Sequence, residues 1–273
     1  MIDKDARTFT MSIDLDATPD EVWRALTDAG ELVRWFPLQA RVTPGKGGTM
    51  SWDWDGQFVW NSRIDVWEPG RRLVLVEDRP PVDVKGTALP GPSRRIAMAF
   101  TLESHAGKTR LRLVHSGFGR GASWDDELDS IGAGWQYELR GLRHYLEHHK
   151  GQDRVNAAVS QFATMPREAL WKRLFSPAGF VVTSGRLAHD ERCTVRSATG
   201  DQLEGTVMWH NPGRDVALLV DAFGGGLFRV SAWSAGDQTG VQVWMTSYSP
   251  AHATAVRQLG ERIEPMVRAL AAG

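Results

Sequence analysis

Residues 124–150 read WDDELDSIGAGWQYELRGLRHYLEHHK, and this stretch decides the fold. Its apolar residues recur every three or four positions: Leu128, Ile131, Trp135, Leu139, Leu142 and Leu146. That spacing predicts one apolar stripe along an α-helix. Charged residues occupy the remaining positions: Asp126, Glu127, Glu138, Arg140, Arg143 and Glu147. We therefore expect a long helix that packs on a core with one face, keeps this charged face in solvent and begins at Ser123 as its N-cap.

Two glycines interrupt the apolar stripe on either side of Ala133. Gly132 and Gly134 lie next to Trp135, although glycine in a helix interior costs about 1 kcal/mol relative to alanine. Such a position is explained either by close contact between the helix and a sheet or by space left for a ligand beside the indole. The sequence alone leaves both explanations open.

Most of the chain before this helix alternates in the manner of β-strands. From Arg7 to Asp16 every second residue is apolar, which predicts a strand with one buried face. Thr18, Pro19 and Glu21 then form the signature of a helix start with a capping box. Further strands follow up to Ser116, with a proline-rich loop from Asp78 to Ser93. This order predicts one α+β domain in which an antiparallel sheet wraps around the long helix.

Aromatic residues concentrate on one predicted hairpin. Asp55 and Gly56 mark its tight turn, with Trp52 and Trp54 on one strand and Phe58 and Trp60 on the other. Three indoles and a phenyl ring on one two-stranded patch fit either the lining of a pocket or a role in packing or at the surface.

Composition narrows the class of protein. The 32 basic residues balance the 33 acidic ones, so nothing in the charge favours nucleic acid as a partner. The single cysteine, Cys193, fits a reducing compartment and reads as a small buried hydrophobe. The charged start of the chain and the absence of a long apolar run indicate a cytoplasmic protein without a membrane span. His144 and His148 have a metal-compatible spacing, but without supporting ligands we expect a solvated helix end and no metal site.

Several motifs together resemble a known family. They are, in chain order, ATPDEVWRALT at 17–27, Trp35, Gly47-Gly48, VWEPGRRL at 66–73, LRLVHSG at 111–117, and Gly134-Trp135 with Leu139 and Leu142. In this order they resemble the heat-shock-chaperone ATPase activator homologue-like family of the START/SRPBCC helix-grip superfamily. The resemblance covers residues 7–150. It implies a sheet that grips a C-terminal helix, with a cavity for an apolar ligand between them.

The pattern restarts after a short polar break at residues 151–153. Val155 to Ala163 reads as a strand, and a helix with Pro166 and Trp171 follows. The strands predicted next are 186–188, 193–197, 203–210, 215–221, 227–233 and 241–248. A last amphipathic helix carries Val256, Leu259, Ile263, Met266 and Leu270 on one stripe. We therefore predict tandem helix-grip domains, one at 1–150 and a diverged copy at 155–273.

The functional prediction rests on the expected cavity of the first domain. The side chains expected around the ligand are Trp35, Trp52, Trp54, Phe58, Trp60, Phe100, His115, Trp135 and Leu139. We interpret the protein as a binding protein for a small hydrophobic, aromatic molecule, with no cofactor and no recognised catalytic constellation. Two alternatives stay open: a cyclase or hydratase in the same cavity, with His115 as acid or base, and a co-chaperone-like interaction module. A homodimer and a chaperone partner also stay open.

Overall fold

The computed structural model describes residues 7–56, 58–79 and 93–273. The chain divides between Gly151 and Gln152 into two compact units, each built on one seven-stranded antiparallel sheet. Most of the proline-rich loop predicted from Asp78 to Ser93 lies outside the described residues. No helix within the described ranges is long and apolar enough to cross a membrane.

The sheet of the first unit is an antiparallel meander, with its N-terminal strand added at one edge. Its strands are β1 (Arg7–Leu15), β2 (Gln39–Val42), β3 (Thr49–Asp53), β4 (Val59–Glu68), β5 (Arg72–Arg79), β6 (Arg94–His105) and β7 (Lys108–Phe118). Their order in the sheet is β1-β7-β6-β5-β4-β3-β2. The predicted alternation is confirmed. Along β6, for example, every second side chain from Ile96 to Leu102 is at most 4% exposed.

Two short helices connect β1 to β2. They are α1 (Pro19–Thr27) and α2 (Ala29–Trp35). The predicted capping box of α1 is present, because the Glu21 backbone N–H donates to Thr18 Oγ1 and the Thr18 backbone N–H donates to the Glu21 carboxylate. The indole N–H of Trp35 donates to the Ala25 carbonyl over 2.8 Å, which fixes α2 against α1.

The long helix of the first unit is α3 (Ala122–His144), and a π-helical turn (Tyr145–His149) extends it. Its C-terminal half is anchored in the core, since Trp135, Leu139, Leu142 and Leu146 are at most 5% exposed. The predicted N-cap at Ser123 is wrong. The helix starts two residues earlier, after its N-cap Gly121, whose φ of +105° gives a backbone turn that glycine adopts without strain.

The second unit repeats the topology of the first. Its strands are β8 (Val155–Ala163), β9 (Phe180–Gly185), β10 (Arg192–Ser197), β11 (Gln202–Asn211), β12 (Asp215–Val220), β13 (Gly226–Ala235) and β14 (Gln238–Ser247). Their order is β8-β14-β13-β12-β11-β10-β9, the same as in the first sheet. A single helix, α4 (Arg167–Leu174), follows β8, and α5 (Ala253–Ala272) ends the unit. The predicted tandem helix-grip fold is therefore confirmed.

One strand predicted in the second unit is wrong. The segment 186–188 forms a turn in which the Ala188 N–H donates to the Arg186 carbonyl over 3.0 Å. The strand lies earlier, at Phe180–Gly185, and pairs with β10. It ends at Gly185, whose φ is +68°. The stripe predicted on α5 packs against the sheet, where Val256, Leu259 and Ile263 share a buried apolar cluster with residues such as Phe228.

Candidate functional site

A cavity of about 510 Å³ lies in the first unit, between the N-terminal half of α3 and the β3–β5 side of the sheet. The side chains and backbone around it are those of Phe36, Trp54, Phe58, Val59, Trp60, Glu77, Arg79, Glu127, Ser130, Ile131, Gly134, Trp135 and Glu138. Its volume falls within the roughly 300–1,000 Å³ of typical small-molecule sites.

The β3–β4 hairpin supplies one aromatic wall. Asp55 and Gly56 have φ of +58° and +74°, and the Gly56 N–H donates to Asp53 Oδ1, which closes the tight turn predicted from the sequence. Trp54 and Phe58 flank this turn with ring centroids 5.5 Å apart. Phe58 keeps 53% of its surface exposed, although large apolar side chains are normally buried. This wall therefore reaches from the solvent into the cavity.

Trp135 on α3 forms the opposite wall. Its ring lies 5.4 Å from that of Phe36 and 5.7 Å from that of Phe100, measured between centroids. Its indole N–H donates to Nδ1 of His115 over 3.2 Å. Contacts with these two rings and a hydrogen bond from the indole N–H hold the side chain in place, so this wall is pre-formed.

The structure brings four of the nine predicted ligand-contacting residues to the cavity. Those that border it are Trp54, Phe58, Trp60 and Trp135. The other five do not border it and are at most 3% exposed: Trp35, Trp52, Phe100, His115 and Leu139. They form a supporting layer. Within it Trp52 pairs directly with Trp60 across the hairpin, at a centroid distance of 6.1 Å.

His115 belongs to this supporting layer and stays neutral. Burial, with a smaller contribution from the charge of Arg79, lowers its pKa to about 3. Since Nδ1 accepts the indole N–H of Trp135, the imidazole carries its proton on Nε2, and Nε2 is buried without a hydrogen-bond partner among the described residues. A general base needs a free basic nitrogen near the substrate, and here that nitrogen is already occupied.

Charged residues on one side of the cavity were not predicted as site residues. Arg79 donates to Glu77 Oε1 over 3.0 Å, is paired with Glu127 on α3, and lies 5.8 Å from the ring centroid of Trp60. Burial alone would lower the pKa of the Arg79 guanidinium. The hydrogen bond to Glu77 and the charge of Glu127 raise it overall, so Arg79 stays charged. This ion-paired group ties β5 to α3 beside the aromatic walls.

Two charged residues on α3 were placed on the wrong face. We expected Glu127 and Glu138 to face solvent on the polar side of the helix, but both line the cavity. With Ile131 and Gly134 they follow the spacing i, i+4, i+7 and i+11, which marks a single helix face. The sequence of β5 carries a comparable signal for Glu77 and Arg79. They lie two and four residues after the buried Leu75, so they point to the same face of the strand.

The two glycines beside Trp135 have different surroundings. A Cβ on Gly132 would lie 3.2 Å from the ring of Phe9 on β1, so this glycine permits close contact between helix and sheet. A Cβ on Gly134 would meet no atom within 4 Å, and Gly134 borders the cavity. Close contact therefore explains Gly132, and open space explains Gly134.

Among the described residues, no group of three or more His, Cys, Asp or Glu side chains has the geometry to hold a metal ion. His144, His148 and His149 lie close together at the end of α3, with ring centroids 4.8 to 6.4 Å apart. Cys193 is buried in β10, and burial raises the pKa of its thiol. These side chains lie outside the cavity lining.

The fold and the cavity define the class of the first unit: an α+β helix-grip domain with a pre-formed, largely aromatic pocket between sheet and helix. The family described as "Activator of Hsp90 ATPase homolog 1-like protein" matches residues 16–147, which include the motifs that indicated it. No curated protein matches the chain.

Solved structures resemble either one unit or the whole chain. Protein MLL2253 from Mesorhizobium loti is 22% identical with a TM-score of 0.45, over 53% of this chain and 99% of its own. DynU16 of the dynemicin biosynthetic locus is 17% identical with a TM-score of 0.42, over 97% of this chain and 95% of its own. The di-domain ARO/CYC BexL of the BE-7585A biosynthetic pathway is 16% identical with a TM-score of 0.41, over 98% and 99%.

Proposed function

We propose that the first unit binds a small aromatic molecule in the cavity between α3 and the sheet. The observation that carries this proposal is a cavity of about 510 Å³ bordered by Phe36, Trp54, Phe58, Trp60 and Trp135. Concave, mostly apolar sites with a few polar groups are where proteins bind small ligands. Ring faces and edges on two sides suit a flat aromatic molecule, since offset and edge-to-face pairs add about 0.5–1.5 kcal/mol each.

The interior of the cavity is consistent with binding rather than catalysis. His115, on which the cyclase or hydratase alternative depends, lies beneath the wall with its basic nitrogen bonded to Trp135. The ionisable groups that border the cavity include Glu77, Arg79 and Glu127, which are paired with one another. A binding protein uses such groups to orient its ligand, without a proton transfer.

The test uses the neutral fluorescent dye N-phenyl-1-naphthylamine and the full chain. The wild type should bind the dye with enhanced fluorescence. Gly134→Phe should weaken binding at least tenfold, about 1.4 kcal/mol. A Cβ on Gly134 would meet no atom within 4 Å, so the phenylalanine side chain would occupy the open space of the cavity. Gly141→Ala is the matched control, since Gly141 lies on the same helix outside the cavity lining.

Circular dichroism and thermal melts establish that both variants remain folded. A wild type that does not bind the dye, or a folded Gly134→Phe variant that binds it as the wild type does, would contradict the proposal.

A further inference from the structure

We infer that the cavity selects aromatic ligands that carry a protonated amine. This inference rests on the proposed function, because it names the class of ligand for the same cavity. Three features of the lining carry it: an excess of carboxylates, one carboxylate oxygen without a partner, and aromatic faces beside them.

The charges around the cavity are unequal. Among the described residues, Glu77, Glu127 and Glu138 border it together with one cationic residue, Arg79. Arg79 is paired with both Glu77 and Glu127, and one guanidinium neutralises only one of these carboxylates. The chain as a whole has a formal net charge of only −1, so this local excess of negative charge is a property of the cavity. In a partly enclosed site such an excess attracts cations more strongly than it does in bulk water.

One carboxylate oxygen of the lining lacks a donor. Glu77 Oε1 accepts from Arg79, whereas Glu77 Oε2 is buried and has no hydrogen-bond partner among the described residues. A buried acceptor of this kind is unfavourable until it is paired, and charge-assisted N–H donors form its strongest bonds. The negative charge of Glu77 therefore attracts a ligand ammonium group in the cavity and repels a ligand carboxylate.

The aromatic walls favour the same charge. Arg79 already lies over the ring of Trp60 at 5.8 Å, so this indole face accepts a cation. Trp54, Phe58 and Trp135 border the same space, and tryptophan is the best aromatic partner for a cation. The positive charge of Arg79 would repel a cationic ligand. Its ion pairs with Glu77 and Glu127 reduce this repulsion.

The experiment compares three probes of nearly equal shape by calorimetry at pH 7: 1-naphthylmethylamine, which is protonated, the neutral 1-naphthylmethanol, and the anionic 1-naphthoate. We expect the amine to bind about tenfold more tightly than the alcohol, and the naphthoate to bind more weakly than the alcohol. In Glu77→Gln and Glu138→Gln the ratio of amine to alcohol affinity should fall towards one. Glu147→Gln, an exposed position on the same helical segment, is the matched control and should keep the wild-type ratio.

The outcomes separate the two proposals. If the alcohol binds and the amine binds no more tightly, the cation preference is wrong and the aromatic site stands. If the amine preference survives in both variants, the carboxylates are not its cause and the inference is overturned. If none of the three probes binds, the inference falls together with the proposed function. The wild-type comparison alone decides the preference should a variant fail to fold.

Discussion

At the scale of single residues, His115 determines how the α3 wall of the cavity is held in place. It is fully buried, and its Nδ1 accepts the indole N–H of Trp135, the residue that forms the α3 wall. A neutral imidazole makes this bond, whereas a protonated one has no lone pair with which to accept it. The position of the wall therefore depends on the protonation state of a residue that does not touch the cavity.

This dependence predicts that acid destabilises the first unit. The pKa of His115 is about 3 in the folded protein and near 6.5 in an unfolded chain. Between these values the unfolded state binds the extra proton, so the stabilisation present above pH 6.5 is lost as the pH falls, by at most about 1.4 kcal/mol per pH unit. From pH 7 to pH 5 the wild type should lose about 2 kcal/mol more than His115→Gln, measured by chemical denaturation.

The control for this prediction is an NMR titration of the histidine side chains. His115 should remain neutral down to pH 4, because burial lowers its pKa to about 3. An identical pH dependence of stability in wild type and variant, or an imidazole of His115 that titrates near pH 6, would show that the buried hydrogen bond is not maintained.

Helix α3 shows at the scale of elements how one sequence pattern serves two environments. Its C-terminal half buries Leu139 and Leu142 completely, whereas its N-terminal half presents Ile131 and Gly134 to a cavity. The change occurs at Trp135, which is buried in the core and borders the cavity at once. The helix is thus both the centre of the core and one side of the site.

The two glycines of α3 give a paired prediction about stability. Gly134→Ala should raise the free energy of unfolding by about 0.5–1 kcal/mol, because alanine favours the helix and its Cβ enters open space. Gly132→Ala should give a smaller gain or a loss, since its Cβ would lie 3.2 Å from the ring of Phe9. Thermal melts of both variants measure the difference. A larger gain at Gly132 than at Gly134 would contradict the assignment of close contact and open space.

Features that depend on residues close together in the sequence were predicted well, whereas those that depend on packing between distant segments were not. The capping box of α1 involves Thr18 and Glu21 alone, and the alternation of β6 is a property of one strand, so both were predicted correctly. The lining was predicted incompletely, because the inward parity of Glu77 and Arg79 says nothing about whether core or empty space lies opposite. The strand expected at 186–188 was misplaced for a similar reason, since the choice depends on pairing with β10.

The whole molecule consists of two units with one topology and different interiors. The cavity lies within the first unit, while α5 in the second packs against its sheet through a continuous apolar cluster. The tandem arrangement was predictable because the order of strands and helices repeats along the chain. The aromatic hairpin at Trp52 to Trp60 distinguished the two halves in the sequence, and it is this hairpin that borders the cavity.

This difference predicts where a ligand protects the backbone. With N-phenyl-1-naphthylamine at about 100 times its dissociation constant, the first unit should gain about 2.7 kcal/mol of stability. Hydrogen exchange followed by mass spectrometry should show slower exchange in α3 and in the β3–β5 region, and unchanged exchange in peptides from residues 152–273. The Gly134→Phe variant is the control and should show less protection, because a tenfold weaker affinity lowers the gain in stability to at most about 1.4 kcal/mol. Protection that is strongest in the second unit would place the ligand elsewhere.

In each sheet the first strand in the sequence pairs with the last, and this has a consequence for synthesis on the ribosome. β1 pairs with β7, and Arg7 lies opposite Phe118. Because the ribosome adds roughly 5–20 residues per second, β7 is synthesised on the order of ten seconds after β1. During that time neither edge of β1 is paired with a strand of its sheet, and the later β14 pairs with β8 in a sheet of the same order. β7 emerges well before β14, so β1 meets its own partner first. Synthesis from the N-terminus therefore favours pairing of β1 with β7 over its mispairing with β14 of the second unit.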